Sequence, residues 1–362
     1  MPRPITAIIH LGAMRHNLSI VRKNAPNSKI WAVAKANAYG HGIEHALTGF
    51  SDADGMALIE LDEAVRLREL GWKKPILLLQ GFFETADLSA VVEHQLHVVV
   101  HCIEQIEMLA QIKSSATIHV YLKMNSGMNR LGFQPDAIES AFSRLRGLTC
   151  IGSIILMTHF ANSFVIGDSP KPGISVAEQK RRFLLVASAF GCGHSFADSA
   201  TVLTKNELTC AWIRTGIMLY GATVFPGRRA DEFNLLPAMT LQSEVIGIQH
   251  LTAGDYVGYG SRFMATAPMT IGVVACGYTD GYPRSAPDGT PVLVDGVKTG
   301  LLGRVSMDSI MVDLTNVPSG RVGSKATLWG RGLPVEEVAA AAGTIGCELM
   351  CGLTPGVRML NG

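Results

Sequence analysis

The sequence predicts an α/β protein with an N-terminal (β/α)8 TIM-type barrel and a C-terminal mainly-β domain. Two observations predict the barrel: eight short apolar runs fill the first two-thirds of the chain, and amphipathic helical patterns separate most of them. A third observation predicts the second domain, because beyond about Asn234 the strand-like runs are broken by Gly and Pro. We therefore expect the barrel over residues 1–234 and the β domain over residues 235–362.

The predicted barrel strands are short apolar runs bounded by turns or helical patterns. They are Ile30–Ala34, Gly55–Ile59, Ile76–Leu79, His97–Val100, Thr117–Leu122, Ile151–Met157, His194–Ala197 and Ala211–Arg214. The helical patterns between them cover Leu61–Leu70, Ile103–Ile112, Asp136–Leu145 and Ala177–Phe190. Eight strands with helical crossovers in roughly 200 residues fit a closed barrel better than an open sheet.

The predicted C-terminal strands alternate with turn signals rather than with helices. They are Met239–Ile248, Thr270–Cys276, Pro291–Val294, Ser309–Asp313 and Ala326–Trp329. The turn signals at Pro287–Gly289 and Asp295–Gly296 predict hairpins. One helix is expected at Pro334–Ala342.

The composition favours a globular enzyme with a small-molecule ligand. Hydrophobic residues make up 48% and charged residues 17% of the 362 residues, which excludes a disordered chain. The net charge of +1 gives no reason to expect a nucleic-acid or membrane-surface partner. The sequence has no apolar run of signal-peptide length at its start, and none near the ~20 residues that span a bilayer.

The cysteine pattern favours reduced, mostly buried thiols and the cytoplasm. The seven cysteines are odd in number and scattered: Cys102, Cys150, Cys192, Cys210, Cys276, Cys347 and Cys351. Cys347 and Cys351 lie one helical turn apart, but no second ligand pair follows them, so we expect no metal site.

The strongest local signal is WAVAKANAYGHG at Trp31–Gly42, in which Lys35 closes an apolar strand. A lone lysine after a strand is more often a solvated terminus. However, barrel active sites lie at the carboxyl ends of strands, where a partly desolvated lysine becomes nucleophilic. Tyr39 and two glycines follow, which is typical of phosphate sites.

Beyond this segment, the chain resembles the alanine racemase family. KANAYGHG is similar to the family's cofactor-lysine segment, and six later motifs follow in the family's order. They are LKMNSGMNRLGF (Leu122–Phe133), MTHFA (Met157–Ala161), IRTGIMLYG (Ile213–Gly221), VGYGSRF (Val257–Phe263), CGYTDGYPR (Cys276–Arg284) and GRVSMDSIMVDL (Gly303–Leu314). The similarity runs from Thr6 to Arg358 and implies the same barrel followed by a β domain.

The resemblance implies an amino-acid racemase that acts on alanine with pyridoxal 5′-phosphate. Lys35 is expected to carry the cofactor and to act as one base, and Tyr259 as the base on the opposite face of the substrate. In the family this tyrosine reaches the barrel of the other subunit, which implies a homodimer with shared sites. Taken alone, a tyrosine between glycines is more often a turn residue.

The resemblance also assigns the residues around the cofactor. Arg214 is expected to face the pyridine nitrogen and, because arginine stays protonated, to leave that nitrogen unprotonated. This favours racemisation over decarboxylation or transamination. His159 is expected to connect Arg214 with Tyr259. Without the resemblance, Arg214 could equally form a structural ion pair, and His159 could be a core histidine.

The resemblance also implies a binding site for the cofactor phosphate and one for the substrate carboxylate. The phosphate is expected at Tyr39, Ser199 and the backbone N–H groups of Gly216 and Ile217, in loops where barrels commonly bind phosphate.

The substrate carboxylate is expected to meet Arg130 and the backbone N–H of Met307. Lys123 occupies a position that some relatives carbamylate, although it could equally be an ordinary buried lysine.

Three positions depart from the family pattern. Asn125 stands where aspartate is common, Asp198 stands where asparagine is common, and Pro355 lies about where some members use a tyrosine on the phosphate. These changes concern phosphate affinity and rate, because every residue that the reaction needs is present.

Other functions agree less well with these residues. A pyridoxal-phosphate decarboxylase is expected to have an acidic residue at the ring nitrogen, and a non-catalytic cofactor carrier would lack the β domain. A metal- or phosphosugar-dependent barrel enzyme would be colourless with a free Lys35, and no His/carboxylate cluster in the sequence supports a metal site. A purely structural domain would not need seven polar motifs. A racemase of broader specificity, acting on serine or others, stays open, as does the choice between D-alanine synthesis for peptidoglycan and alanine catabolism.

Overall fold

A computed structural model of the chain describes residues 3–112, 116–165, 173–204 and 210–362. The strands are β1 (Thr6–Ile9), β2 (Lys29–Val33), β3 (Gly55–Leu58), β4 (Ile76–Leu78), β5 (His97–Val100), β6 (Ile118–Lys123), β7 (Ile151–Met157), β8 (His194–Ser195), β9 (Trp212–Thr215), β10 (Met239–Leu251), β11 (Tyr256–Val257), β12 (Phe263–Met264), β13 (Met269–Val274), β14 (Pro291–Val294), β15 (Val297–Leu302), β16 (Ile310–Asp313), β17 (Lys325–Trp329) and β18 (Arg358–Asn361). The helices are α1 (Leu11–Asn24), α2 (Lys35–Tyr39), α3 (Ile43–Gly49), α4 (Leu61–Glu69), α5 (Asp87–Glu93), α6 (Ile103–Leu109), α7 (Ile138–Arg146), α8 (Val176–Ala187), α9 (Ser199–Thr204), α10 (Val335–Ala342) and α11 (Gly346–Cys351).

Strands β2 to β9 form the predicted barrel. They are parallel and hydrogen-bonded in sequence order from β2 to β8, and β9 returns beside β2. The Arg214 N–H donates to the Ala197 carbonyl (2.9 Å), which connects β9 to the residues after β8 and nearly closes the sheet. All eight predicted strands are present, and the fold class is confirmed. Because every strand is parallel, all eight carboxyl ends meet at one mouth of the barrel.

Alternation along the strands explains why these runs fold this way. One face of each strand points into the barrel, where Trp31, Ala57, Leu77, Val99 and Tyr121 pack together. The other face packs against the surrounding helices in the main core. Strands buried on both faces read as continuous apolar runs, which is why the sequence revealed them.

The second sheet has eight strands in the order β13-β16-β15-β14-β17-β10-β1-β18. Its predicted strands are present, and Asp295 and Gly296 both have positive φ (47° and 81°) in the β14–β15 hairpin. The sequence did not reveal β1, which pairs antiparallel with β10 and parallel with β18. The N-terminal strand therefore belongs to the sheet of the C-terminal domain.

Helix α11 of the C-terminal domain, which the sequence did not reveal, reaches the barrel mouth. A Cβ added at Gly40 would lie 2.0 Å from the Met350 carbonyl oxygen, so α11 packs backbone against backbone on the turn after β2. All seven cysteines are unpaired; Cys150 and Cys276 are buried, whereas Cys351 is exposed. In the ranges described, no helix has the length and apolar character to cross a bilayer.

Candidate active site

A cavity of about 390 Å³ opens at the carboxyl ends of the barrel strands. Four cationic side chains line it (Lys35, Lys123, Arg130 and Arg214), and Asp198 contributes a carboxylate. Cations that are gathered in a partly buried site strongly favour an anionic ligand, because their mutual repulsion is relieved when it binds. The cavity is therefore suited to a small molecule that carries phosphate or carboxylate groups.

Lys35 begins a turn of left-handed helix at the end of β2. Ala36, Asn37, Ala38 and Tyr39 all have φ between 50° and 54°, although none of them is glycine. This conformation costs roughly 1–2 kcal/mol per residue, so neighbouring contacts must maintain it. Strain of this kind concentrates at functional sites.

Local hydrogen bonds stabilise this turn. The Asn37 N–H donates to Glu63 Oε1 (2.6 Å), and Asn37 Oδ1 accepts from the Ile43 N–H (3.0 Å). The ring of Tyr39 stacks on that of Tyr220 at a centroid distance of 4.6 Å. The turn thereby fixes Lys35 at the cavity and directs the Tyr39 hydroxyl toward Gly216.

The predicted phosphate residues come together on one side of the cavity. Ser199 Oγ accepts from the Gly216 N–H (2.9 Å). A Cβ on Gly216 would lie 2.5 Å from Tyr39 Oη, so only glycine lets the hydroxyl approach this backbone. Ile217 follows in the same lining. One phenol, one aliphatic hydroxyl and adjacent backbone N–H groups form a donor set typical of phosphate sites.

Arg214 lies at the end of β9 with its guanidinium buried. It donates to Ser195 Oγ (2.6 Å) and to the Thr158 carbonyl (2.7 Å). Burial lowers the pKa of this guanidinium from its ordinary value, but arginine stays protonated in proteins. Arg214 is therefore a fixed donor at the cavity wall.

His159 lies beside Arg214 and Asp198. Its Nδ1 is buried and has no hydrogen-bond partner among the residues that the structure describes, and Asp198 Oδ2 is 3.9 Å away. Burial, followed by the charges of Arg214 and other cations, lowers the pKa of His159 to about 4, although Asp198 opposes that shift. The imidazole is therefore neutral near pH 7 and can accept a hydrogen bond.

Asp198 is directed away from the phosphate donor set. Its Oδ1 accepts from the N–H and the hydroxyl of Thr201 (2.9 Å each), which caps α9. Its Oδ2 accepts from Ser163 Oγ (2.6 Å). Both carboxylate oxygens thus have donors of their own, and the acidic residue at this position does not point at the backbone of Gly216.

Lys123 and Arg130 form the other cationic side of the cavity. Burial is the first cause that lowers the pKa of Lys123 to about 8, and the charges of Arg214, Arg130 and Lys35 add to it. About a tenth of this amine is therefore neutral at pH 7. Asn125 shapes the loop that leads to Arg130, because its Oδ1 accepts from the N–H groups of Gly127 and Asn129 (3.0 Å each).

Sequence reasoning missed Cys347, which lines the cavity from α11. Burial raises the pKa of this thiol to about 12, so it stays protonated. The residue could not be found from a motif, because its place depends on α11 packing across the barrel mouth. Pro355 lies in the loop beyond α11, is exposed and does not line the cavity.

Tyr259 and Met307 lie outside this cavity. Tyr259 follows β11 with 72% of its surface exposed, and Met307 is 56% exposed in the turn before β16. Neither residue lines the cavity of its own barrel. One chain therefore brings together Lys35, Tyr39 and the other cavity residues, but not the second group of the predicted base pair.

Comparison with known proteins gives a consistent result along the whole chain. The family profiles "Alanine racemase, N-terminal domain" and "Alanine racemase, C-terminal domain" match residues 9–224 and 238–360. An alanine racemase of Janthinobacterium sp. (strain Marseille) is 57% identical over 362 residues, which cover 100% of this chain and 99% of the relative. One of Cupriavidus necator is 51% identical over 99% of this chain and 95% of its own length.

Solved structures give the same relationship. The crystal structure of the biosynthetic alanine racemase from Pseudomonas aeruginosa superposes with a TM-score of 0.95 and 41% identity, over 99% of both chains. Alanine racemase from Acinetobacter baumannii superposes with a TM-score of 0.93 and 36% identity, over 99% of this chain and 100% of the other.

Proposed function

The chain belongs to the alanine racemase family and is thus an isomerase, and from this premise we propose that it interconverts L- and D-alanine with pyridoxal 5′-phosphate by a two-base mechanism. The observation that carries the proposal is the cationic cavity in which Lys35 faces a phosphate-type donor set at Tyr39, Ser199 and Gly216. A strand-end lysine, an anion site and a fixed arginine are the parts that this chemistry requires.

The residues of the cavity fit this cofactor. The Tyr39 hydroxyl lies against the backbone of Gly216, where a Cβ would come within 2.5 Å of Oη, so the hydroxyl and this backbone can face one anion, and the buried Arg214 can only donate. Tyr39, Ser199, Gly216 and Ile217 would hold the phosphate, and Arg214 would meet the ring nitrogen and leave it unprotonated. When bound, the cofactor supplies an electron-withdrawing ring that acidifies the α-proton of the amino acid.

The chain supplies the groups that move the α-proton. Lys35 would remove or return it on one face of the substrate, and Tyr259 of the partner subunit on the other. The neutral His159 imidazole lies where it can accept a hydrogen bond and so help to orient the tyrosine. Two bases on opposite faces are what inversion at Cα requires.

We also propose a homodimer with shared sites. Tyr259 and Met307 are exposed in the single chain and remote from its own cavity lining, so each would complete the cavity of the partner. Arg130 and the Met307 N–H of the partner subunit would bind the substrate carboxylate. A cavity crowded in this way favours alanine and the similarly small serine. One methylene discriminates by only ~1–3 kcal/mol, so residual activity on larger homologues is expected.

Lys123 is proposed to carry a carbamate. Its pKa of about 8 supplies neutral amine, which adds to CO2 with formation of an N–C bond and loss of one proton. The resulting anion would lie beside Arg130 and orient it. A 13C carbamate signal from folded protein prepared in 13C-bicarbonate checks this, and the absence of that signal at neutral pH would exclude it.

For the physiological role, we propose D-alanine supply for peptidoglycan in the cytoplasm. The support is that the Pseudomonas aeruginosa relative is described as biosynthetic. The alternative is alanine catabolism, and growth of a strain without the protein distinguishes the two roles. A requirement for added D-alanine supports biosynthesis, whereas loss of growth on alanine as carbon source supports catabolism.

The test of the reaction follows L-alanine in deuterium oxide with protein loaded with pyridoxal 5′-phosphate. We expect the optical rotation to decay to zero and deuterium to appear at Cα. Unchanged rotation from a yellow protein would keep the cofactor site but reject alanine. A colourless, inactive protein would reject the cofactor, the reaction and the proposed site together.

The test of shared sites mixes two inactive variants, Lys35→Ala and Tyr259→Phe, and lets the subunits exchange. A mixed dimer has one site in which both residues are intact, so activity should recover to about a quarter of that of the unaltered protein. Sites built within one chain would stay inactive after mixing.

A further inference from the structure

Arg3 connects the start of the chain to two loops of the C-terminal domain. Its Nη1 donates to Asp280 Oδ1 (2.8 Å), and its Nη2 donates to Asp280 Oδ2 (2.9 Å) and to the Asp308 carbonyl (2.6 Å). The guanidinium thus binds one carboxylate in the bidentate geometry and also reaches the turn that contains Met307. Bidentate pairs of this kind define orientation as well as distance.

Asp280 depends on this partner. Its side chain is only 3% exposed, whereas that of Arg3 is 42% exposed. Asp280 Oδ2 also accepts from the Gly277 N–H (2.9 Å), so the carboxylate fixes the loop 277–281 from inside. A buried carboxylate without its cation is strongly unfavourable, so the loop in this conformation requires Arg3.

The loop 277–281 in turn fixes the backbone of Met307. The Met307 carbonyl accepts from both the N–H (3.0 Å) and the hydroxyl (2.7 Å) of Thr279. The Tyr278 N–H donates to the Ser306 carbonyl (3.1 Å). A Cβ on Gly277 would lie 2.3 Å from the Met307 carbonyl oxygen, so the two loops pack backbone against backbone.

We propose that Arg3 is a positioning residue for the Met307 N–H and thereby sets the affinity of the partner's site for the substrate carboxylate. The inference rests on the proposed function, in which Met307 completes the cavity of the other subunit. The Met307 N–H itself donates to no acceptor within the described parts of the chain, so it is available for a ligand.

Arg3 acts on binding and not on proton transfer. Among the described residues, its hydrogen bonds go to Asp280 and Asp308. Tyr259 lies on the β11–β12 hairpin, whose Val257 packs in an apolar cluster with Ile271, Leu302 and Met311 and not through these hydrogen bonds. A carboxylate contact exists before and during the reaction alike. Its loss therefore raises KM and leaves kcat nearly unchanged.

The test compares Arg3→Ala and Arg3→Lys with a matched control, Arg22→Ala. Arg22 forms an ion pair of similar length with Asp54 (2.7 Å) on the barrel, and its side chain is equally exposed, at 41%. The measurements are KM and kcat for alanine, the Kd of propionate by calorimetry on the holoenzyme, and the dimer constant by sedimentation. Propionate carries the carboxylate but has no amino group, so it probes the carboxylate site, formed by Arg130 and the partner's Met307 N–H, without the rest of the substrate.

In Arg3→Ala we expect KM and the propionate Kd to rise together by about 5- to 20-fold, because a hydrogen bond to a charged group is weakened. We expect kcat and the dimer constant to stay within about twofold of the values of the unaltered protein. A raised KM with unchanged kcat is characteristic of losing a contact that binds the substrate and the transition state equally. Arg3→Lys keeps the charge but loses the bidentate geometry. Its KM and propionate Kd should therefore lie between those of the unaltered protein and those of Arg3→Ala. Arg22→Ala should match the unaltered protein.

Unchanged KM and propionate Kd in Arg3→Ala would overturn the proposal. Equal effects in Arg22→Ala, or a parallel fall of kcat and dimer stability, would also overturn it, because either result indicates a general structural role. No racemisation by the unaltered protein would overturn the proposed function and this inference together, whereas a racemase insensitive to Arg3 would overturn this inference alone.

Discussion

The barrel mouth and the exposed turns of the C-terminal domain differ in how much of a site each contains. At the mouth, Lys35, Arg214 and His159 are surrounded by groups of their own chain, and burial there lowers the pKa values of Arg214 and His159. Tyr259 and Met307, by contrast, are mostly exposed. Under the proposed function, cofactor binding is therefore expected to be a property of one chain, and inversion at Cα a property of two. Substitutions in the two regions should therefore impair the protein in different ways: those at the mouth should affect cofactor binding, and those in the exposed turns should affect inversion at Cα.

The largest effect is expected for Lys35→Ala, which removes the central group of the mouth. Racemisation should fall by about 10,000-fold, the upper end for loss of an acid–base group that also carries the cofactor. Bound cofactor should also wash out on dialysis, which absorbance records. Lys29→Ala is the matched control, because Lys29 lies at the opposite end of the same strand, over the ring of Trp212. Retention of both colour and activity in Lys35→Ala would contradict the assignment.

Tyr259→Phe should impair proton transfer on one face of the substrate and leave proton transfer on the other face, and cofactor binding, intact. L- and D-alanine have equal free energy, so net racemisation must slow equally from either enantiomer, by about 100-fold or more. Exchange of the α-proton should nevertheless stay fast for D-alanine, where Lys35 acts, and become slow for L-alanine.

Deuterium uptake into each enantiomer, followed by mass spectrometry, measures this difference. Tyr256→Phe changes a second exposed tyrosine of the same hairpin and should have no effect. Equal uptake into both enantiomers in Tyr259→Phe would reject the two-base assignment.

The same contrast explains which parts of the fold could be predicted. The barrel strands could be predicted because strands that are buried on both faces have continuous apolar sequences. Strand β1 was missed because its partners β10 and β18 are far away in the chain, and no local pattern records such pairing. Helix α11 has only six residues and begins at Gly346, so its periodicity is too short to recognise.

The candidate site divides in the same way. The side chains at Lys35, Arg130 and Arg214 lie in motifs that a resemblance can assign, and they do line the cavity. Cys347 could not be assigned, because it reaches the cavity only through the packing of α11. The left-handed turn after Lys35 was also unforeseen, since alanine and tyrosine adopt it only under the constraint of surrounding contacts.

Gly216→Ala tests whether the phosphate site is as closely packed as the distances indicate. The new Cβ would lie 2.5 Å from Tyr39 Oη, so the hydroxyl or the backbone must move and the cofactor Kd should rise by about 10-fold or more. Fluorescence titration of the apoprotein with pyridoxal 5′-phosphate measures this. Gly193→Ala is the control, because its Cβ would meet only ordinary contacts, the nearest at 3.5 Å. Equal Kd values in both variants would contradict a close-packed phosphate site.

The last prediction concerns stability, whose dependence on pH should distinguish the two regions. Burial is the main cause that lowers the pKa of His41, His97 and His159 in the barrel, to about 4, 3 and 4. In the unfolded chain these histidines bind a proton below about 6.5, whereas the folded barrel does not, so stability is lost as the pH falls from about 6.5 to 4, by on the order of 1 kcal/mol per histidine and pH unit.

The C-terminal sheet should respond less in that pH window, because one histidine beside it, His10 after β1, has a pKa lowered to about 4, mainly by burial, and the one histidine after Asn234, His250, is exposed. Hydrogen exchange of the apoprotein at pH 7 and pH 5, corrected for the intrinsic rate, should therefore accelerate in β5 and β6 of the barrel and stay nearly constant in β13 and β16. Substitution of His97, which packs against His119 at a centroid distance of 4.6 Å, by a residue that does not titrate should reduce the pH dependence of the barrel. Uniform acceleration of exchange across both sheets would mean that acid destabilises the molecule as one unit. The two regions would then differ in the site residues they supply but not in the pH dependence of their stability.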